Sequence, residues 1–155
     1  MNYFCHETIL GKITICNRKN AVVRLYFGSR HFPEAKNVES GIIQKAFVQL
    51  AEYLDGYRCD FDFELAYDGS NFQTSVWNQL KLISYGQTKS YKDIASLINS
   101  PKSSLAVGNA CGKNPIPIFI PCHRVVGSDG DLRGYAVGIS LKKKLLEIEN
   151  WKKCD

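Results

Sequence analysis

Apolar positions along the chain change period near its middle. ITICN at 13–17 and AVVRLYF at 21–27 are short β-prone runs, and Arg18, Lys19 and Asn20 between them read as a hairpin turn. Residues 40–54 place Ile42, Ile43, Ala46, Phe47, Leu50, Ala51 and Leu54 at helical spacing, and Gly56 ends that run. Phe61, Phe63 and Leu65 alternate with acidic residues, as a half-buried strand would. YDGSN at 67–71 is turn-rich and is the predicted boundary. The pattern then becomes mainly helical. Thr74 or Ser75 is the predicted cap of a helix carrying Val76, Trp77, Leu80 and Ile83, ended by Tyr85 and Gly86. Ser90 is the predicted cap of a short helix with Tyr91, Ile94, Ala95 and Ile98 on one face. Asn99, Ser100 and Pro101 form a turn, a second short helix follows over roughly 102–112, and a last one spans 139–150.

Two short helices about a tight turn suggest a helix-turn-helix, although structural bundles use the same pair. In the second helix Ala106, Val107, Ala110 and Cys111 share one arc, with Leu105, Gly108, Asn109 and Gly112 opposite. Each helical glycine costs about 1 kcal/mol relative to alanine. Such a bare stripe allows close approach by a neighbouring helix or by a nucleic-acid backbone. The expected class is α+β, with domains at 1–68 and 69–155.

Composition adds three constraints. With 155 residues and 45% hydrophobic content, the chain can build one ordinary core or two small ones. No run reaches the roughly 18 apolar residues of a membrane span, and MNYFCHETIL does not read as a signal peptide. Residues 1–66 hold 8 basic and 8 acidic side chains, whereas 67–155 hold 12 and 7, so the net charge of +5 lies wholly in the second part. That suits a polyanion-facing lobe. The six irregularly spaced cysteines, with no CxxC pair, are expected to be reduced, as in a cytoplasmic or nuclear protein. Cys5, His6, Cys16 and His31 form a metal site only if the fold gathers them, and otherwise are scattered residues.

The candidate chemistry is in IPIFIPCHRV at 116–125. Pro117 and Pro121 stiffen the approach to Cys122, and His123 follows at once. A thiol is strongly nucleophilic only as thiolate, and an adjacent base promotes that form. Neighbours on a strand point to opposite sides, so proton transfer from Cys122 to His123 requires a turn or a bridging water. On the last helix Leu141, Leu145 and Ile148 define the apolar arc, and Glu149 falls inside it. A carboxylate there either meets His123 or snorkels to the rim, and Lys142 also falls near that arc. A Cys-His-Glu set by itself also fits a cysteine hydrolase.

From Phe72 to Glu149 the chain resembles the O6-alkylguanine-DNA alkyltransferases, also called methylated-DNA–protein-cysteine methyltransferases. The blocks that carry the resemblance are FQTSVWNQL, YGQTKSYKDIA, SSLAVGNACGKNP, IPIFIPCHRVVGSDGDLRGYAVG and KKLLEIE. The first 66 residues are consistent with the family's variable N-terminal domain. The resemblance implies a ribonuclease H-like first domain and a winged-helix-like second one. It implies a protein that enters the DNA minor groove and rotates an alkylated guanine into a pocket. A monomer is expected, since the sequence carries no coiled coil or obvious interface run. Cys122 would take the alkyl group from O6 of guanine, and from O4 of thymine, once per molecule. No metal, nucleotide or S-adenosyl cofactor is implied. Tyr91 would donate a hydrogen bond to the leaving base, His123 and Glu149 would deprotonate the thiol through water, and Asn114 would brace the turn. Tyr135 and Ala136 would line the pocket, with main-chain groups of Cys122, Val125 and Ala136 reading the base. Arg124 would be mainly structural.

The chain departs from the family where an arginine usually precedes AVG, since Leu105 stands there. Leu105 is expected to act as an apolar wedge, with Gly108 and Asn109 beside it and Lys102 and Lys113 on phosphates. Cys111 and Val137 also differ from the pocket residues of some members. A relative lacking the acceptor cysteine would only bind lesions, and position 122 is the residue that distinguishes the two.

Overall fold

The computed structural model describes residues 1–150, which form two compact units, Met1–Tyr67 and Asp68–Asn150. In the first, β1 (Asn2–Thr8), β2 (Gly11–Arg18) and β3 (Ala21–Phe27) make an antiparallel meander. The short β4 (Lys36–Asn37) and β5 (Glu64–Leu65) add in parallel at the edges, giving the order β4-β1-β2-β3-β5. The helix α1 (Gly41–Leu54) packs across β1, β2 and β3, capped by Ser40. Ile43, Ala46, Phe47 and Leu50 form its buried side. β2 is buried on both faces: Tyr3, Cys16 and Val23 cluster with Phe32 and Ala35. That double burial explains why ITICN lacks polar alternation.

Two expectations for this unit need correction. β1 was not predicted, because NYFCHET is only half-buried and shows no clean alternation. Only Glu64 and Leu65 of the 61–65 run pair with β3, because Asp62 is held by Gln49 through its backbone N–H and its carboxylate.

The second unit holds α2 (Asn71–Leu80), α3 (Tyr91–Leu97), α4 (Ser104–Gly112) and α5 (Ile139–Asn150). α2 starts earlier than predicted. Ser70 and Gln73 form a reciprocal capping box, which satisfies two helix-end donors and takes precedence over Thr74 or Ser75. α3 carries the same device in Ser90 and Asp93. α2, α3 and α4 pack together, with the Trp77 indole donating to the Ala110 carbonyl at 2.9 Å. Two short strands then matter for the site. β6 (Lys89–Ser90) pairs in parallel with β7 (Val125–Val126). That pairing brings Tyr91, the first residue of α3, towards Cys122, three residues before β7.

Candidate active site

The chain reaches Cys122 through a stiff and strained approach. Ile118 holds φ at 75°, a left-handed conformation that a β-branched residue adopts only under constraint. The constraint includes Asn114: its amide donates to the Ile120 carbonyl at 2.8 Å, and its side-chain oxygen accepts from the Ile116 N–H at 2.9 Å. Cys122, His123 and Arg124 then form a single 3₁₀ turn. They do not continue a strand, so the strand-based objection to placing thiol and imidazole together does not apply here.

Behind the turn lies a buried ionic set. Glu149 is 1% exposed, inside the apolar face of α5. Its Oε2 lies 2.6 Å from His123 Nε2, and it accepts both Arg124 Nε at 2.8 Å and Arg124 Nη2 at 3.0 Å. Arg124 also donates to the Ile83 carbonyl at 2.7 Å. Burial pushes the Glu149 carboxyl up, but the hydrogen bonds from His123 and Arg124, with the charge of Arg124, outweigh it and hold it at about 2. Burial pushes the His123 imidazole down from its ordinary 6.5, against the pull of Glu149. The ring is therefore neutral. An ionised carboxylate only accepts, so Nε2 carries the proton and Nδ1 is the basic nitrogen.

In front of the turn is a cavity of about 600 Å³. That falls within the range of small-ligand sites, about 300–1,000 Å³. Cys122, Tyr91, Cys111, Tyr135 and Ala136 line it, and Leu105, Gly108 and Asn109 of α4 form part of the same wall. Burial pushes the Cys122 thiol up, while the Asn114 amide, the Tyr135 hydroxyl and the charge of Lys142 oppose that rise. The resting residue is a protected thiol, not a standing thiolate. Burial, with smaller contributions from Cys111 and Cys122, pushes the Tyr91 hydroxyl to about 12, so it stays a donor throughout the neutral range.

The predicted residues thus separate into layers. Cys122, Tyr91, Tyr135, Ala136 and Cys111 face the cavity, while His123, Glu149 and Asn114 stand behind it. Leu105 is 82% exposed beside the cavity, and Lys102, Asn109 and Lys113 are exposed. A Cβ on Gly108 would lie 3.7 Å from the Tyr91 ring, and one on Gly112 would meet nothing within 4 Å. Packing inside the unit therefore does not require the bare stripe.

Val125 is buried in β7, opposite Lys89. Arg124, expected to be mainly structural, is buried and holds the Glu149 carboxylate and the Ile83 carbonyl. One expectation needs correction. The six cysteines are not uniformly reduced: Cys59 is disulfide-bonded, whereas Cys5, Cys16, Cys111 and Cys122 are free thiols. Irregular spacing cannot show which sulfurs the fold brings together. Cys154 lies outside the described residues. The fold does not gather Cys5, His6, Cys16 and His31. His6 meets Glu39 at 2.6 Å, His31 meets the Tyr3 hydroxyl at 2.9 Å, and no metal-holding cluster occurs among the described residues. Lys142, which the sequence placed near the buried arc without a role, is 1% exposed.

Comparison with known proteins gives consistent results. Residues 71–151 match the family model for the 6-O-methylguanine DNA methyltransferase DNA-binding domain. The chain is 39% identical to the inducible methylated-DNA–protein-cysteine methyltransferase of Bacillus subtilis, over 96% of this chain and 84% of that protein. It is 40% identical to the methylated-DNA–protein-cysteine methyltransferase of Methanosarcina acetivorans, over 96% and 98%. The crystal structure of Mycobacterium tuberculosis OGT in complex with DNA superposes with a TM-score of 0.92 at 37% identity, covering 98% of this chain and 94% of that one.

Proposed function

The chain belongs to the methylated-DNA–protein-cysteine methyltransferase family and repairs DNA by direct reversal, passing an alkyl group to a cysteine of its own, and we propose that this cysteine is Cys122. The observation that carries the assignment is the position of Cys122, which lines a cavity in front of it and adjoins a buried imidazole–carboxylate pair behind it.

DNA is the partner. The lesion is O6-alkylguanine, with O4-alkylthymine as the second substrate, turned out of the duplex through the minor groove. α4 supports this reading. It lines the cavity with Leu105, Gly108 and Asn109, and its bare stripe is not needed for packing within the unit. Leu105 occupies the gap left by the extruded base as an apolar wedge. Lys102 and Lys113, exposed before and after α4, hold phosphates. Main-chain groups of Cys122 and Ala136 read the base, and Tyr135 closes the pocket.

In the transfer, the thiol proton passes through a water to His123 Nδ1, while Glu149 holds the opposite nitrogen. The sulfur attacks the alkyl carbon, the carbon–O6 bond breaks, and the purine leaves as Tyr91 donates to it. The thioether has no hydrolytic exit, so each molecule acts once, as a monomer. The mixed sheet crossed by α1 supports a ribonuclease H-like first unit. The α3–α4 pair beside the β6–β7 ribbon supports a winged-helix-like second one.

The test is mass spectrometry of the protein after incubation with duplex DNA carrying O6-methylguanine. One methyl group on the Cys122 peptide, never more, is expected, with none in Cys122→Ser. Methylation elsewhere, or tight binding with no mass gain, overturns the assignment.

A further inference from the structure

One cation faces the cavity from a backbone that resists it. Arg133 lies in the loop between β7 and α5 and holds φ at 65°, a left-handed conformation that an arginine adopts only where its surroundings fix it. Its N–H donates to the Asp131 carboxylate at 2.8 Å, and the carbonyls on either side, of Leu132 and Gly134, both accept from the Lys142 ammonium, at 2.5 and 3.1 Å. The side chain then lies over Gly127, where a Cβ would come within 2.9 Å of the guanidinium carbon. Both residues line the cavity that holds Cys122.

The charge placed there is only lightly engaged. Arg133 donates to Asp129 Oδ1 once, at 3.4 Å, and both side chains are more than half exposed. An exposed pair of this kind contributes little, and a guanidinium has five donors. Among the described residues lining the cavity are two cations, Lys92 and Arg133, and no carboxylate; Asp129 and Asp131, which hold the loop, are not part of that wall. The charge of Arg133 also reaches the Tyr91 hydroxyl, which it draws down against the effect of burial. A methyl group on its way to Cys122 has no use for such a charge. In an in-line displacement, sulfur and oxygen occupy the axis through the reacting carbon, so any further substituent on that carbon points sideways towards the wall. A carboxylate pointing there, out of water, requires a cation, and it repels the incoming thiolate unless one is near.

We propose that Arg133 forms an anion subsite in the cavity wall, through which the protein accepts carboxylate-bearing alkyl groups, such as a carboxymethyl group on O6 of guanine, in preference to neutral groups of the same shape. This rests on Cys122 being the acceptor. The guanidinium fork matches a carboxylate in two parallel hydrogen bonds, which the amide of a neutral isostere cannot accept. The displacement balances as before: the bond from sulfur to the methylene carbon forms as the carbon–O6 bond breaks, and the electron pair leaves with the base. The thiol proton goes to His123, and the carboxylate stays on the thioether with its charge unchanged.

The experiment measures single-turnover transfer to Cys122, in the full chain, from duplexes carrying O6-carboxymethylguanine or its neutral isostere O6-carbamoylmethylguanine. The ratio of carboxymethyl to carbamoylmethyl transfer is expected to fall about tenfold in Arg133→Gln, the lower end for a hydrogen bond to a charged group. Taking the ratio within each variant cancels any general loss of rate and the different intrinsic reactivity of the two groups. Arg133→Lys, which keeps the charge, is expected to retain most of the ratio. A second arm needs no DNA: iodoacetate and iodoacetamide deliver the same two groups to Cys122 with loss of iodide, read by the mass of the Cys122 peptide, and their ratio should fall in step. A ratio unmoved in either arm overturns the proposal. So does an equal loss of the two groups, which marks bulk rather than charge, or a fall confined to binding of undamaged duplex, which marks a phosphate contact. Absence of methyl transfer from O6-methylguanine DNA by the unaltered protein, with the iodoacetate arm intact, would instead overturn the repair assignment.

Discussion

His123 Nε2 lies 2.6 Å from Glu149 Oε2, with both side chains buried, and Arg124 engages both oxygens of the same carboxylate. Arg124 and Glu149 cancel in charge, which leaves His123 neutral and able to accept the thiol proton. Replacing Glu149 by Gln keeps an acceptor for the imidazole but strands the Arg124 guanidinium. A broken buried pair costs about 3–5 kcal/mol, because the surviving charge has lost its partner. Glu149→Gln is therefore expected to lower the unfolding free energy measured by urea titration by that much. Where it is still folded, it should slow single-turnover methyl transfer about 10²–10⁴-fold. Wild-type transfer by the folded variant would show that the carboxylate plays no part in activating the thiol.

The same pair sets how stability responds to acid. Glu149 is held at about 2 against an ordinary 4.5, so its contribution is present above pH 4.5 and disappears as pH falls towards 2. His123 is buried neutral with its pKa below 6.5, so the native state binds fewer protons there than the unfolded chain. Its contribution is complete above pH 6.5 and declines below it. Thermal unfolding midpoints should therefore start to drop as pH passes below about 6.5, well before carboxylates protonate. In His123→Gln the upper part of that decline should vanish. A wild-type midpoint flat from pH 8 to 5 would contradict a neutral buried imidazole.

Tyr91→Phe isolates the proton donor. The ring is half-buried and contacts α4 near Gly108, so phenylalanine keeps the packing and removes only the hydroxyl. Methyl transfer should slow by about 10²-fold or more, the lower end for general-acid assistance, while affinity for lesion DNA changes little. Rapid-quench transfer alongside a binding titration separates the two. Equal loss of both would assign Tyr91 to binding rather than to the leaving base.

How far this site could be read in advance depended on whether a residue's role is local. The faces of α1 and α3 were visible because Ile43, Leu50 and Ile94 recur at helical spacing, and Glu149 was suspect because it falls on an apolar arc. Arg124 was not legible, because nothing near it in the chain announces that its partner lies 25 residues away on α5. Lys142 shares the arc with Glu149, but two of the groups that accept from its ammonium, the Leu132 and Gly134 carbonyls, are main-chain atoms with no side-chain signature. The left-handed Ile118 contradicts its own residue type, which is where local preference gives way to the demands of a functional turn. The resemblance supplied Asn114 its role. Only the fold shows the two hydrogen bonds through which it braces that turn.

The DNA footprint can be tested without chemistry. Lys102 and Lys113 lie in solvent before and after α4, while Leu105 stands 82% exposed between them. A phosphate contact releases condensed counterions, so its loss weakens binding on every sequence and reduces the slope of log K against log salt by about 1. Lys102→Ala and Lys113→Ala are each expected to do this on undamaged duplex. Leu105→Ala touches no phosphate and should leave the slope alone. Its effect belongs to the extruded state, so it should slow methyl transfer from duplex DNA while leaving transfer from the free O6-methylguanine base unchanged. Titrations at several salt concentrations, with transfer rates on duplex and free base, distinguish the roles. A Leu105→Ala slope that falls with the lysine variants would remove the wedge, and unchanged lysine slopes would place the phosphate contacts elsewhere on the unit.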